Sequence, residues 1–204
     1  MHETHEDCPY YEQNQFAMDT GIQILFTYQL SHDGRLVRKC IHEFYASRRD
    51  DGLLETHLPV PFRIVNILQF SLYWILMIHN HMGYFNDITL VRQYIGTIDD
   101  ILDHFHCQLT PRGPVSRFDD EAWPFIDWVK EWYDPSKRLR GMGIPPSYRR
   151  GECETTYNSL IYSIALSHAV DLCDFCTVRI PPESAGTVPP RLTLQSTNAA
   201  SLHR

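Results

Sequence analysis

Three carboxylates stand close together near the start of the chain, at Asp7, Glu12 and Asp19. Hydrolysis of a glycosidic bond needs a protonated carboxylic acid that donates to the leaving oxygen, and a second carboxylate that activates water or attacks the sugar. Clustered acids raise one another's pKa values, which keeps one of them protonated near neutral pH. The spacing therefore fits a glycosidase site. A solvated acidic loop explains it as well, because acid-rich loops are common.

Aromatic residues accompany the acids in two places. Two tyrosines and Phe16 lie beside the first acids, where their rings could form the walls of a sugar site. Further along, residues 123–128 read Trp-Pro-Phe-Ile-Asp-Trp, which places Trp123 and Trp128 on either side of Asp127. Rings beside an acid in a long loop suit carbohydrate stacking, while an aromatic cluster packed in the core is an equally good interpretation.

Other catalytic and metal-binding patterns are weaker or missing. His79 and His81 point away from each other on a helix, which favours core or surface histidines over metal ligands. Cys173 and Cys176 have no second cysteine pair nearby and are interpreted as ordinary thiols. The sequence has no Gly-x-Ser-x-Gly elbow and no phosphate loop of the Gly-x-x-x-x-Gly-Lys type. We therefore expect no metal and no cofactor.

Composition and charge limit the classes of protein. The 204 residues, 43% of them hydrophobic, are about one domain's length and enough for a core. The net charge of −7, with no Lys or Arg before Arg35, argues against binding to nucleic acid or an anionic membrane. The longest largely apolar run, residues 70–78, is far shorter than the roughly 20 residues of a membrane span. No signal peptide is visible, so the sequence indicates a soluble protein, cytoplasmic as it stands.

Hydrophobic periodicity predicts an all-helical chain of stacked hairpins in inner and outer layers. The segment 53–61 is expected to be a loop, the segment 110–153 is expected to be irregular, with a short helix within it, and the Pro-rich end from 181 is expected to be disordered. The predicted helices are 21–30, 35 to about 50, 65–83, 87–109, 119–132 and 155–175.

The order of these motifs resembles the catalytic domain of bacterial and fungal α-L-rhamnosidases. In that family an Asp-Cys-Pro-x-x-Glu run is followed by an aromatic residue and a Gly-Asp pair, and residues 7–19 fit this spacing without gaps. Residues 47–54, 70–74 and 123–128 look like the segments that follow in the same proteins. The resemblance covers about residues 1–175.

The resemblance implies an all-α fold, an incomplete (α/α)6 toroid over residues 1–176, and the Pro-rich composition that follows predicts a disordered tail at 177–204. It implies inverting hydrolysis of terminal α-L-rhamnosides, with Glu12 as the general acid and a rhamnosylated carbohydrate or glycoside as the partner. The residues that would bind the sugar are Asp7, Phe16, Asp19, Trp123, Asp127 and Trp128.

Three residues depart from the family pattern. Tyr11 replaces the commoner Arg, and Met18 and Ile126 replace glycines. These replacements occur in fungal relatives, so the sequence looks fungal-like, and they would alter a subsite.

The family's second catalytic carboxylate, a Glu thought to act as the base, lies in later hairpins, and the sequence predicts fewer helices than a full ring. We therefore expect a fragment or a truncated gene model that is inactive alone and self-associates through exposed barrel helices. Relatives occur inside and outside cells, so the resemblance is compatible with an extracellular location for a full-length relative. Another toroid glycosidase and a non-catalytic sugar-binding or helical interaction module remain as alternatives.

Overall fold

The computed structural model describes residues 3–60, 66–116, 118, 122–133, 142–149 and 156–178. These residues are mostly helical, with one small antiparallel pair of strands. The strands are β1 (Gln15–Phe16) and β2 (His57–Leu58). The helices are α1 (Ala17–Ser31), α2 (Arg35–Ala46), α3 (Phe70–Phe85), α4 (Ile88–His106), α5 (Pro146–Arg149) and α6 (Thr156–Val178).

The first helix begins earlier than the periodicity predicts. α1 follows β1 without a loop, so Asp19 lies in the first helical turn rather than ahead of the helix. A carboxylate there interacts favourably with the unpaired N–H groups and the positive end of the helix dipole. The helix ends at Ser31, and the next residue, His32, caps it: its φ is left-handed at 52°, and its N–H donates to the carbonyl of Tyr28.

The third helix is the centre of the fold. α3 packs against α1 and α6 on its two sides, and also against α2 and α4. Its buried residues include Trp74, which donates from Nε1 to the carbonyl of Ile41 on α2 at 2.9 Å. The prediction of a helix surrounded by protein is confirmed. Its predicted start at residue 65 is too early, because α3 begins at Phe70; residues 61–65 lie outside the described residues.

The fourth helix shows the cap that the sequence predicts. The Asp87 carboxylate accepts a hydrogen bond from the N–H of Leu90 at 3.1 Å and satisfies one of the donors left unpaired at the start of α4. One face of α4 is buried against α3 and α6, as its one-sided apolar pattern indicates.

The helix predicted over 119–132 is not formed over residues 122–129. Those residues form no helix or strand beyond a single bridge from Ala122 to Asn66, and a single 3-10 turn follows at Lys130–Trp132. Pro124 provides no N–H for a helix, and the neighbouring N–H groups bond elsewhere: Trp123 to the carbonyl of Asn66 at 2.9 Å, and Ile126 to the carbonyl of Gly143 at 2.9 Å. Hydrogen bonds to residues distant in sequence have replaced the helical ones.

The last helix is long and apolar. Over Thr156–Thr177 its mean hydropathy of 1.2 and its length would allow it to cross a membrane, and 28% of that stretch is buried. Its inner face packs on α3 and α4, and core helices of soluble proteins meet the same criteria. α6 ends at Val178, two residues into the predicted tail, and residues 179–204 lie outside the described residues.

Candidate functional site

The first group of site residues sits on a closed loop, residues 7–14, which we call the acidic loop. Its ends are joined by a hydrogen bond from the N–H of Asp7 to the carbonyl of Asn14 at 2.9 Å. The Asp7 carboxylate accepts from the N–H of Asn14 at 3.2 Å, and the N–H of Glu12 donates to Cys8 Sγ at 3.3 Å. Gln13 closes the loop with a left-handed φ of 54°. These bonds fix the backbone on either side of both acids.

The acidic loop leads directly into β1 and α1. β1 pairs with β2 so that Phe16 lies opposite His57, with ring centroids 4.9 Å apart. The N–H of Ala17 continues the pairing by donating to the carbonyl of Thr56 at 3.1 Å. This short sheet places Phe16 and Asp19 on the same side of the molecule as the acidic loop.

The second group lies on residues 122–129, which we call the aromatic segment. Its rings form one cluster: the centroids of Trp123 and Phe125 are 4.9 Å apart, and those of Phe125 and Trp128 are 5.1 Å apart. Trp123 also donates from Nε1 to the carbonyl of Met142 at 3.0 Å. Trp123 is therefore buried against protein, while Trp128 is 53% exposed and free to contact a ligand.

The two groups meet in one cleft. A cavity of about 440 Å³ is lined by all seven site residues predicted from the sequence. The carboxylates of Asp7, Glu12, Asp19 and Asp127 and three of the aromatic rings thus face a shared space. The remaining lining residues are Met18, Thr56, His57, Ile67, Phe70, Phe125 and Ile126.

Burial changes the proton affinity of two cleft residues. The pKa of Asp19 is raised, chiefly because burial disfavours the charged carboxylate, with a further contribution from the negative charge of Asp7. The pKa of His57 is lowered because burial disfavours the imidazolium. In both side chains burial disfavours the charged form.

One set of donor atoms in the described residues is close enough for a cation. Single ligand atoms of Asp7, Cys8 and Glu12 lie within 4.8 Å of one another. Exposed acidic groups commonly approach this closely without a metal. The expectation that the protein needs no metal therefore stays a prediction.

Sequence reasoning missed the wall of the cleft that carries Thr56, His57, Ile67 and Phe70. This wall depends on the pairing of β1 with β2, two strands of two residues each that are far apart in the chain. Strands this short show no alternation, so no local signal could have identified them. The sequence places Phe70 in an apolar run and in a segment similar to the rhamnosidases, and neither indicates that its ring lies 6.4 Å from that of Phe16.

The sequence profile of the bacterial alpha-L-rhamnosidase 6 hairpin glycosidase domain matches residues 1–161. A search of curated proteins gave no significant match. Among solved structures, the GH78 family rhamnosidase of Bacillus sp. GL1 aligns with a TM-score of 0.67 and 19% identity, covering 87% of this chain and 16% of its own. The rhamnosidase from Klebsiella oxytoca, solved with rhamnose bound, aligns with a TM-score of 0.64 and 20% identity, covering 90% of this chain and 32% of its own.

The chain spans less than a third of the length of either solved structure. At these identities the likeness shows the fold, an incomplete (α/α)6 toroid, and confirms the predicted fold class. The profile covers more than three quarters of the 204 residues. This chain therefore belongs to the bacterial α-L-rhamnosidase six-hairpin glycosidase domain family.

Proposed function

We propose that this chain carries the sugar-binding and proton-donating part of an α-L-rhamnosidase site. The observation that carries the proposal is the convergence of four acidic residues and five Phe or Trp residues on one cleft from distant parts of the chain. A cavity of about 440 Å³ is within the range of small-molecule sites. Carboxylates accept hydrogen bonds from sugar hydroxyls, and the exposed face of Trp128 offers a surface for the apolar side of a pyranose ring.

In the proposed reaction, Glu12 transfers its proton to the glycosidic oxygen while the bond between that oxygen and C1 of the rhamnosyl group breaks. Water attacks C1 from the opposite face, a base takes the proton from that water, and rhamnose leaves with inverted configuration. Asp7, Asp19 and Asp127 hold sugar hydroxyls. The position of Glu12 on a loop fixed at both ends supports its role as the donor, since a donor must be held within hydrogen-bond reach of the oxygen.

We further propose that the chain alone releases little rhamnose. The resemblance assigns the base to a Glu in later hairpins, and the three other cleft carboxylates are assigned to binding. Removing one of two concerted carboxylates costs orders of magnitude in rate. Sugar binding, which needs only the residues lining the cleft, is expected to persist.

Calorimetric titration with L-rhamnose, beside a turnover assay with an aryl α-L-rhamnoside, tests the proposal. We expect saturable binding that is weakened at least tenfold in Asp127→Asn, and no turnover above background. Asp51→Asn, which changes a carboxylate that pairs with Arg49 away from the cleft, is the matched control and should bind like the wild type. Turnover abolished by Glu12→Gln would refute the predicted inactivity, and hydrolysis of a glucoside or uronide instead would favour another toroid glycosidase.

A second candidate function, a helical interaction module, is favoured by exposed apolar side chains on α1 and α6. Ile22, Phe26 and Leu30 form one stripe on α1, and Leu160 and Ile164 lie one turn apart on α6. Exposed apolar stripes of this kind mark interaction surfaces. We propose that the chain self-associates through these helices.

Light scattering after size-exclusion chromatography tests self-association. The wild type is expected to run larger than a monomer, and Phe26→Glu with Ile164→Glu is expected to restore the monomer. A monomeric wild type at micromolar concentration would refute this candidate.

A further inference from the structure

One buried side chain, Gln69, joins two walls of the cleft. One wall is the start of α3, and the other is the aromatic segment. Gln69 has no exposed surface and lies at the N-cap position of α3. Its Nε2 donates to the carbonyl of Phe125 at 2.6 Å. Ile67, two residues before Gln69, and Phe70, the residue after it, line one wall of the cleft. The aromatic segment, to which Gln69 donates, lines another wall.

Two backbone hydrogen bonds also attach the aromatic segment. The N–H of Trp123 donates to the carbonyl of Asn66, and on the opposite side Gly143 accepts from the N–H of Ile126. Between these two backbone bonds, the bond from Gln69 ties the backbone of Phe125 to the start of α3. Asp127 and Trp128, the residues assigned to the sugar, follow two and three residues after Phe125.

Gln69 is also energetically unfavourable at this buried position. Its Oε1 has no hydrogen-bond partner among the residues that the structure describes. A buried polar atom without a partner is destabilising, so an apolar side chain of the same size would fill the space at lower cost. The donated bond to Phe125 is the interaction that an apolar side chain could not make.

We infer that Gln69 is a positioning residue, which holds the aromatic segment so that Asp127 and Trp128 face the sugar across the cleft. It acts through the Phe125 carbonyl and does not itself touch the sugar. The role in sugar binding rests on the proposed function, whereas the attachment of the segment does not.

Two substitutions separate the hydrogen bond from packing. Gln69→Leu keeps approximate volume and removes the donor. Gln69→Glu keeps the shape, and its carboxyl can donate an O–H to the Phe125 carbonyl only when protonated. Gln29→Leu is the matched control: Gln29 donates from Nε2 to the Tyr84 hydroxyl at 2.6 Å, at the opposite end of α1 and α3 from the cleft.

The first measurement is amide hydrogen exchange at Trp123 and Ile126 in the protein without sugar. We expect exchange to rise about tenfold in Gln69→Leu, the change that corresponds to the loss of one hydrogen bond, and to stay unchanged in Gln29→Leu. The second is L-rhamnose affinity relative to the wild type. We expect a loss of about tenfold in Gln69→Leu, and in Gln69→Glu a loss that shrinks as pH falls and the carboxyl protonates.

Unchanged amide exchange in Gln69→Leu would overturn the inference, and so would wild-type rhamnose affinity in that variant. A pH-independent loss in Gln69→Glu would show that packing rather than donation matters, and would also overturn it. If the wild type itself binds no rhamnose, the proposed function fails, and amide exchange alone decides whether Gln69 holds the segment. Should Gln69→Leu fail to fold, the pH dependence of Gln69→Glu decides.

Discussion

Gly143 is the residue at which one added methyl group should displace the aromatic segment. Its φ is +67°, and a Cβ built there would lie 2.3 Å from Cδ2 of Phe125 and 2.9 Å from the carbonyl oxygen of Asp127. The contact with the backbone of Asp127 cannot be relieved by a side-chain rotation. Gly143→Ala therefore pushes on the segment that carries two of the proposed sugar-binding residues.

The expected cost has two parts. Left-handed backbone costs a residue with a Cβ about 1–2 kcal/mol, and an overpacked contact costs about 1–3 kcal/mol. The aromatic segment can also detach locally from the rest of the fold. The loss of stability is then limited to the contacts that hold the segment, such as the hydrogen bonds from Ile126 to Gly143 and from Trp123 to Met142, at about 1 kcal/mol each. We expect the free energy of unfolding to fall by about 2–3 kcal/mol, with the helical core intact.

Urea denaturation followed by far-UV circular dichroism measures the stability. Tryptophan emission, to which Trp123 and Trp128 contribute beside Trp74 and Trp132, responds to a displacement of the aromatic segment. Gly96→Ala is the control, because a Cβ there meets nothing within 4 Å and alanine favours a helix over glycine by about 0.5–1 kcal/mol. The two substitutions should therefore change stability in opposite directions. Wild-type stability and an unchanged emission spectrum in Gly143→Ala would refute the placement of Gly143 against Phe125.

Two further predictions concern the helices. Burial and the charges of Asp103 and Asp100 raise the pKa of Asp99 to about 6, so the folded protein holds this proton more tightly than the unfolded chain and stability falls as pH rises through that range. Because Asp99 is only half-buried, Asp99→Asn should raise the free energy of unfolding by roughly 1 kcal/mol above about pH 7 and by little near pH 4; an equal effect at both would contradict the assignment. The hydroxyls of Tyr73 and Tyr157 lie 2.8 Å apart between α3 and α6, so Tyr157→Phe should cost about 1 kcal/mol in thermal or urea denaturation. The same change in a Tyr73→Phe background should cost markedly less, and full additivity would mean that the two hydroxyls are not bonded.

Local sequence patterns predicted the helices well because their causes are local. The Asp87 cap and the one-sided face of α4 depend on residues within a few turns, and the structure shows both. The apolar pattern predicts too late a start for α1, because the first turn of the helix contains the charged Asp19.

The candidate site was predictable as a set of residues and not as an arrangement. Spacing alone is also compatible with a solvated acidic loop, and the resemblance to the family is what singles out the acids; all seven residues line one cleft. The helix expected over 119–132 is not formed over 122–129, because bonds to Asn66 and Gly143, distant in the chain, hold this segment in a non-helical conformation. Gln69 gave no signal either, since a glutamine at a helix start looks ordinary until Phe125 is placed beside it.

A crystal structure of the protein soaked with L-rhamnose shows directly whether the cleft binds this sugar. We expect one rhamnose in the cleft, with its ring against Trp128 and its hydroxyls within hydrogen-bond distance of the Asp19 and Asp127 carboxylates. An empty cleft at saturating sugar, or a rhamnose bound elsewhere on the surface, would contradict this expectation.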